Sequence, residues 1–207
     1  MQGDTGKPVT GVSGAIPRGM EPIMKDALTI HRALLEWEAV HEIVRLPFAL
    51  AHADELPRAL GLPPERCLVT RVHSCDDHRG GRRFLAAVIV AAGGRPSADA
   101  VRRAVGARSV RPARADLVNA ATEYAAGLVC PLLLPDDMPV LIDRRVTEAL
   151  PDDDVVYTAT GEASTALGIR SRTLCALSHA EPAPLTSTPS TSLIAAPAPA
   201  PVSRPRR

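Results

Sequence analysis

The sequence predicts a mixed α/β domain, and two observations carry that expectation. Stretches with apolar residues at spacings of three and four alternate irregularly with short runs of β-branched residues, the pattern of a mixed sheet wrapped by helices and not of a regular βαβ array. The chain is 45% hydrophobic but only 2% aromatic, so its core is expected to be filled by Val, Leu, Ile and Ala. Its 207 residues suffice for one sizeable core.

In chain order, Ile23, Ala27, Ile30, Leu34 and Trp37 form the stripe of a first helix over 23–38. A strand is expected at 39–46, closed by Pro47. Asp54 to Leu60 reads as a short helix with Asp54 as N-cap, Pro57 in its first turn and Gly61 just beyond its end. The runs 67–73 and 84–91, separated by a polar stretch with Gly80 and Gly81, suggest a hairpin. Ser97 caps a helix that faces Val101, Ala104 and Val105 inward and stops at Gly106. A helix at 114–123, strands near 139–142, 154–160 and 166–169, and a last helical turn at 171–178 complete the expected domain, 23–180. Residues 1–22 and the Pro/Ala-rich segment 181–207 are expected to be disordered, because neither has the apolar content to offset the entropy of ordering.

No apolar run approaches the roughly 20 residues that span a bilayer, and the first 19 residues lack the continuous apolar stretch of a secretion signal. A cytoplasmic protein without a membrane partner is expected. Cys67, Cys75, Cys130 and Cys175 are scattered without C-x-x-C spacing, which argues for reduced thiols. Residues 63–114 hold 11 Arg against 4 acids, or 11 − 4 = +7, whereas the whole chain carries +1. Such a stretch is either a solvated face or a footprint for a phosphate backbone, with Arg102 and Arg103 the candidate RNA contacts.

The most specific segment is Thr122-Glu123-Tyr124-Ala125-Ala126-Gly127-Leu128-Val129-Cys130-Pro131. It resembles the T-G-Y-x-P-G-G-V-S-P loop of the YbaK and prolyl-tRNA-synthetase-associated editing family, with Gly127 and Pro131 in register with the family's Gly-x-x-x-Pro. Pro139 to Asp143 is similar to the family's strand ending in aspartate, and Thr158 to Gly161 to its strand running into a glycine turn. The turn Gly61-Leu62-Pro63-Pro64-Glu65 lies at the family's spacing ahead of these. The resemblance covers about 155 residues and implies a YbaK-like fold with a mostly antiparallel, barrel-like sheet.

The resemblance also implies hydrolysis of the ester joining an amino acid to the 3′ end of tRNA; no Walker loop or Rossmann glycine fingerprint is present, so no cofactor is expected. The substrate partner would be aminoacylated tRNA, with an aminoacyl-tRNA synthetase as a further partner. Ester hydrolysis needs donors aimed at the carbonyl oxygen as charge develops and a positioned water. Gly127, Leu128, Val129, Cys130 and Pro131 would form the cradle: glycine admits close approach, and proline fixes the exit. Asp143 would orient a water or bind the amino group, unless it is a turn cap before Arg144 and Arg145. Val69, Thr70, Tyr124 and Gly161 are the expected substrate-binding positions.

The departure matters as much. An ungapped alignment on Gly61–Glu65 puts Val69 where the family carries its functional lysine, and Lys7 and Lys25 are the only lysines in the chain. Either Arg66 or Arg71 supplies the charge, or the chemistry runs without it, or the chain no longer hydrolyses esters. Leu128 and Leu133 replace family glycines and reshape the loop. His73, Cys75, Asp76 and His78 crowd into six residues but show no further ligand pair, so no metal site is expected. Cys130 reads better as a small loop residue than as a nucleophile, since no histidine lies near it in sequence. Two readings result: a freestanding trans-editing deacylase, or a binding module of the same fold that has lost catalysis along with the lysine.

Overall fold

A computed structural model of the chain describes residues 24–77 and 81–186. The first helix, α1, spans Ala27–Glu36, because the Asp26 carboxylate accepts the Thr29 amide at its start and so ends the helix there. Ile30 and Leu34 are fully buried on its inner face, whereas Trp37, expected in the stripe, sits at the C-cap and is 42% exposed. Ile23 and the expected disordered segment 1–22 lie outside the described residues.

Strand β1 (His41–Arg45) follows, then a 3-10 turn at Ala53–Glu55 running into α2 (Leu56–Leu60), which Gly61 closes in the left-handed region at φ 65°. Asp54 is not the N-cap. His52 holds that place, and the Asp54 carboxylate instead accepts two bonds from Arg71 and the Gly93 amide. Burial raises the Asp54 pKa, but these donors outweigh it and hold the carboxyl below its usual range.

The expected hairpin is longer than the sequence suggested, with β2 at Cys67–Asp77 and β3 at Arg83–Ala91. After α3 (Ala98–Ala104) the chain forms a strand the sequence did not reveal, β4 (Ala107–Pro112), which pairs with the far half of β2. Then come α4 (Ala115–Thr122), β5 (Val140–Asp143), α5 (Arg144–Ala149), β6 (Val155–Ala159), β7 (Thr165–Arg170), α6 (Ser171–Ser178) and β8 (Glu181–Ala183).

The eight strands form one open, mixed and mostly antiparallel sheet in the order β1-β7-β6-β2-β3-β5-β8, with β4 beside β2. The β1–β7, β6–β7, β2–β3 and β2–β4 pairs are antiparallel; β2–β6, β3–β5 and β5–β8 are parallel. One face, with Leu68, Ile89, Ile142, Val156, Leu167 and Ile169, packs on α1, α4 and α6 through Ile30, Leu34, Val118 and Leu174. On the other face, α3 covers Val88, Val90 and Leu141. The 46–56 segment covers Cys67, Val69, Ala159 and Ala166 on that same face.

The domain does not end at residue 180. β8 pairs with β5, Leu185 is fully buried, its carbonyl accepts the Ser97 amide, and Thr186 donates to Asp143. Composition misplaced this boundary because the Pro and Ala of 181–185 read as tail, while the sheet edge of β5 supplies the partners that order them. The rest of the tail lies outside the described residues.

Candidate active site

The site is built around a notch in the sheet. On one edge of β2, the β6 ladder ends at Leu68–Thr158 and the β4 ladder begins only at His73–Pro112. The stretch 69–71 therefore meets neither strand on that edge. The hydroxyls of Thr70 and Thr158 are buried here without a hydrogen-bond partner among the described residues. Such groups are costly to bury unpaired, so the notch retains polar capacity that the fold leaves unspent.

The loop after α4 stands beside this notch. Glu123 ends the helix at φ 59°, Asn119 accepts the Ala126 amide at 2.8 Å, and the Leu128 amide donates to Ala125 at 2.9 Å. Two longer bonds fix the loop to its surroundings: Ala53 donates to the Gly127 carbonyl and Gly161 to the Leu128 carbonyl, each at 2.9 Å. Gly161 lies two residues beyond β6, which sets the loop at the end of that strand. Among the described residues, the amides of Val129 and Cys130 donate to no backbone acceptor.

Both glycines are dictated by crowding as well as conformation. Gly127 has φ 89°, and a Cβ there would meet the His52 Nδ1 at 2.6 Å; Gly161 has φ 88°, and its Cβ would collide with the Lys25 carbonyl and the Tyr124 ring. Lys25, which sequence separation placed far from the site, braces the loop. Its ammonium donates to the carbonyls of Thr122 at 3.1 Å and Leu133 at 2.7 Å and pairs with Glu123 at 3.3 Å, tying together the two ends of the segment. No local pattern in the sequence marks this contact, which spans 97 and 108 residues.

Val69 packs on the face of the sheet that the 46–56 segment covers. It shares one apolar cluster with Leu46, Leu50, Ala53, Leu56 and Leu128, and is 4% exposed. Thr70 points to the opposite face of the sheet, with Leu68 and Val72. The two arginines considered as substitutes for the lysine are committed elsewhere. Arg66 donates to Val155 at 3.0 Å and pairs with Asp154 at 3.1 Å, and Arg71 is held bidentate by Asp54.

Two expected roles, those of Tyr124 and Asp143, do not survive the geometry. Tyr124 is fully buried with its hydroxyl donating to Leu132 at 2.9 Å, so it shapes the loop instead of touching substrate. Cys130 is likewise fully buried, and burial pushes its thiol up to about 12, which leaves no thiolate for nucleophilic work. Asp143 caps α5, accepting the amides of Arg145 and Leu185 and the Thr186 hydroxyl, and lines a cleft of about 420 Å³ with Val90, Arg95 and Val146, apart from Gly127. The turn-cap alternative is the one the structure supports.

Arg102 and Arg103 sit in the last turn of α3, Arg102 paired at the surface with Asp99 at 3.4 Å and Arg103 exposed. His73 and Cys75 share a face of β2 while Asp76 is engaged by Ser109, Arg83 and Arg111; no group of three ligands gathers among the described residues, and His78 lies outside them. No helix among the described residues is long and apolar enough to cross a membrane.

The fold agrees with what comparison finds. The family described as aminoacyl-tRNA editing domain matches residues 49–176, and the chain belongs to that family. A candidate trans-editing enzyme for prolyl tRNA synthetase superposes with a TM-score of 0.62 at 22% identity, over 76% of this chain and 95% of that one. The hypothetical protein APE2540 gives 0.64 at 22% identity, over 76% and 99%. A scaffold protein from epitope backbone grafting by computational design gives 0.63 at 22% identity, over 77% and 95%. These likenesses are of fold. No curated protein matches the sequence.

Proposed function

We propose that the protein is a trans-editing aminoacyl-tRNA deacylase, a hydrolase acting in the cytoplasm on the ester of a mischarged tRNA. The observation that carries this reading is the pair of amides at Val129 and Cys130, buried but donating to no backbone acceptor among the described residues, in a loop held on three sides by Ala53, Gly161 and Lys25. Preorganised amides of this kind stabilise a developing oxyanion without reorganising, a contribution of about 3 kcal/mol per donor in well-studied hydrolases. The lysine is absent, so the amides carry the charge stabilisation, and water is the only co-reactant. Residues 24–186 constitute the editing domain. Gly161 borders the aminoacyl group, with Val69 and Leu128 forming an apolar floor, while Thr70 faces the other side of the sheet.

The substrate partner on this reading is tRNA, approached through the arginine-rich surface of α3 and β4, with a synthetase as its supplier. Affinity is expected to fall steeply with salt, and replacing Arg102 and Arg103 by Ala to lower the slope of log K against log salt by up to about 2. A salt-independent affinity, or an unchanged slope, would show that RNA lies elsewhere.

A second reading, a non-catalytic tRNA-binding or aminoacyl-binding module, is favoured by one specific observation: Val69 is packed as core, and the nearby Arg66 and Arg71 are spent. Release of labelled amino acid from a panel of mischarged tRNAs separates the two. Release above the buffer rate for at least one pair supports the enzyme; binding without release on every member supports the module.

A further inference from the structure

The stretch 69–71 of β2 carries no proton acceptor, though the buried Nδ1 of His73 is unpartnered further along the strand, and hydrolysis of an ester requires an acceptor for the attacking water. The loop has such a group on its other side. His52 opens the 3-10 turn at Ala53–Glu55 in extended backbone, φ −143° and ψ 148°, and its side chain is exposed. The ring edge lies over Gly127, with Nδ1 2.6 Å and Cε1 3.4 Å from where a Cβ would stand. The next residue, Ala53, donates its amide to the Gly127 carbonyl at 2.9 Å, so imidazole and loop are fixed to one another through the backbone. Val129 and Cys130 follow two and three residues along.

The ring is also uncommitted: His52 makes no side-chain hydrogen bond to any described residue. Its charged neighbours on the same turn are occupied, Asp54 by Arg71 and Gly93, and Glu55 by the Ala51 amide at 3.3 Å. The loop faces the ring with the backbone of Gly127.

We propose that His52 is the general base of the editing site, an inference that rests on the deacylase reading. A water oxygen bonds to the ester carbonyl carbon while the imidazole takes one of its protons. The carbonyl electron pair moves to the oxygen, where the amides of Val129 and Cys130 receive it. Collapse re-forms the carbonyl and breaks the bond from that carbon to the ribose oxygen, which takes the proton back from the imidazolium. The products are a free amino acid and a tRNA ending in a hydroxyl, and histidine is regenerated. The absence of a side chain at Gly127 then keeps open the space between base and donors.

The test uses the full chain and its variants H52A and H52Q with the mischarged tRNA that wild type hydrolyses fastest. Both variants should lose about 100-fold or more in kcat with little change in KM or melting temperature. Any fall of kcat toward acid should vanish in both variants, and added imidazole should restore part of the H52A rate. An active wild type whose H52A variant keeps its kcat and its acid limb overturns the role of His52 and leaves the deacylase reading standing. A wild type inactive on every mischarged tRNA overturns that reading, and this one with it.

Discussion

A chain ended at Ala180 is expected to melt roughly 15 °C below one ended at Thr186. The shorter chain loses β8 and with it the Leu185 side chain, which is fully buried against Val88, Val90 and Val101. Removing a buried leucine costs about 2 to 5 kcal/mol. Asp143, only 3% exposed, would lose Leu185 and Thr186 as donors, which adds roughly 1 to 3 kcal/mol. A sum near 5 kcal/mol is a large part of the stability of an ordinary domain. The chain ended at Thr186 keeps all these contacts and is expected to melt with the full-length protein. Equal melting of the two truncations, followed by calorimetry, would show that β8 and Leu185 contribute nothing to the fold.

The second large effect concerns the position of the missing lysine. Val69→Lys places an ammonium in an apolar cluster that includes Leu46, Leu50, Leu56 and Leu128. Such burial costs several kcal/mol before any compensation. The melting temperature is expected to fall by about 10 °C. The cluster also contains Leu128, so the head of the lysine is directed toward the loop, and in the folded fraction hydrolysis should rise by on the order of a hundredfold. Gly127→Val in the same background should abolish the gain, since its side chain would enter the space of His52 and strain a backbone at φ 89°. A V69K protein with unchanged melting would place Val69 outside the core. One that is destabilised without gaining rate would mean that the ester does not sit at this loop.

Much of the fold was legible because its signals are local. The α1 stripe of Ile30 and Leu34, the Gly61 and Gly106 stops, the Ser97 cap and the β2–β3 hairpin each need only a few neighbouring residues to be recognised. β4 and β8 were not legible, since neither has an apolar alternation of its own; β4 takes order from the far half of β2, and β8 from the edge of β5. For the site, the sequence marked Gly127, Gly161 and Val69; in the structure Gly161 donates to the Leu128 carbonyl and Val69 shares an apolar cluster with Leu128.

Asp143 was misplaced because a carboxylate at a strand end has the same sequence signature whether it faces a pocket or caps the next helix. Lys25 and His52 were missed for the opposite reason. Each reaches the loop across a large sequence separation, Lys25 from ahead of α1 and His52 from the turn before α2, and no residue pattern near either announces it. The one retrospective signal for His52 is that a histidine directly precedes an Ala-Asp-Glu turn, a position that frees the ring from helix packing.

On the deacylase reading, the Gly127–Pro131 loop receives the carbonyl of the aminoacyl ester. The measurement that tests it most directly is a crystal structure of the full chain with an amide-linked aminoacyl-adenosine that cannot be hydrolysed. The carbonyl oxygen is predicted within about 3 Å of the Val129 and Cys130 amides, with an imidazole nitrogen of His52 facing the carbonyl carbon through one water. An aminoacyl group bound instead in the cleft of Asp143, Arg95 and Val146, with the loop amides facing away from it, would contradict the account.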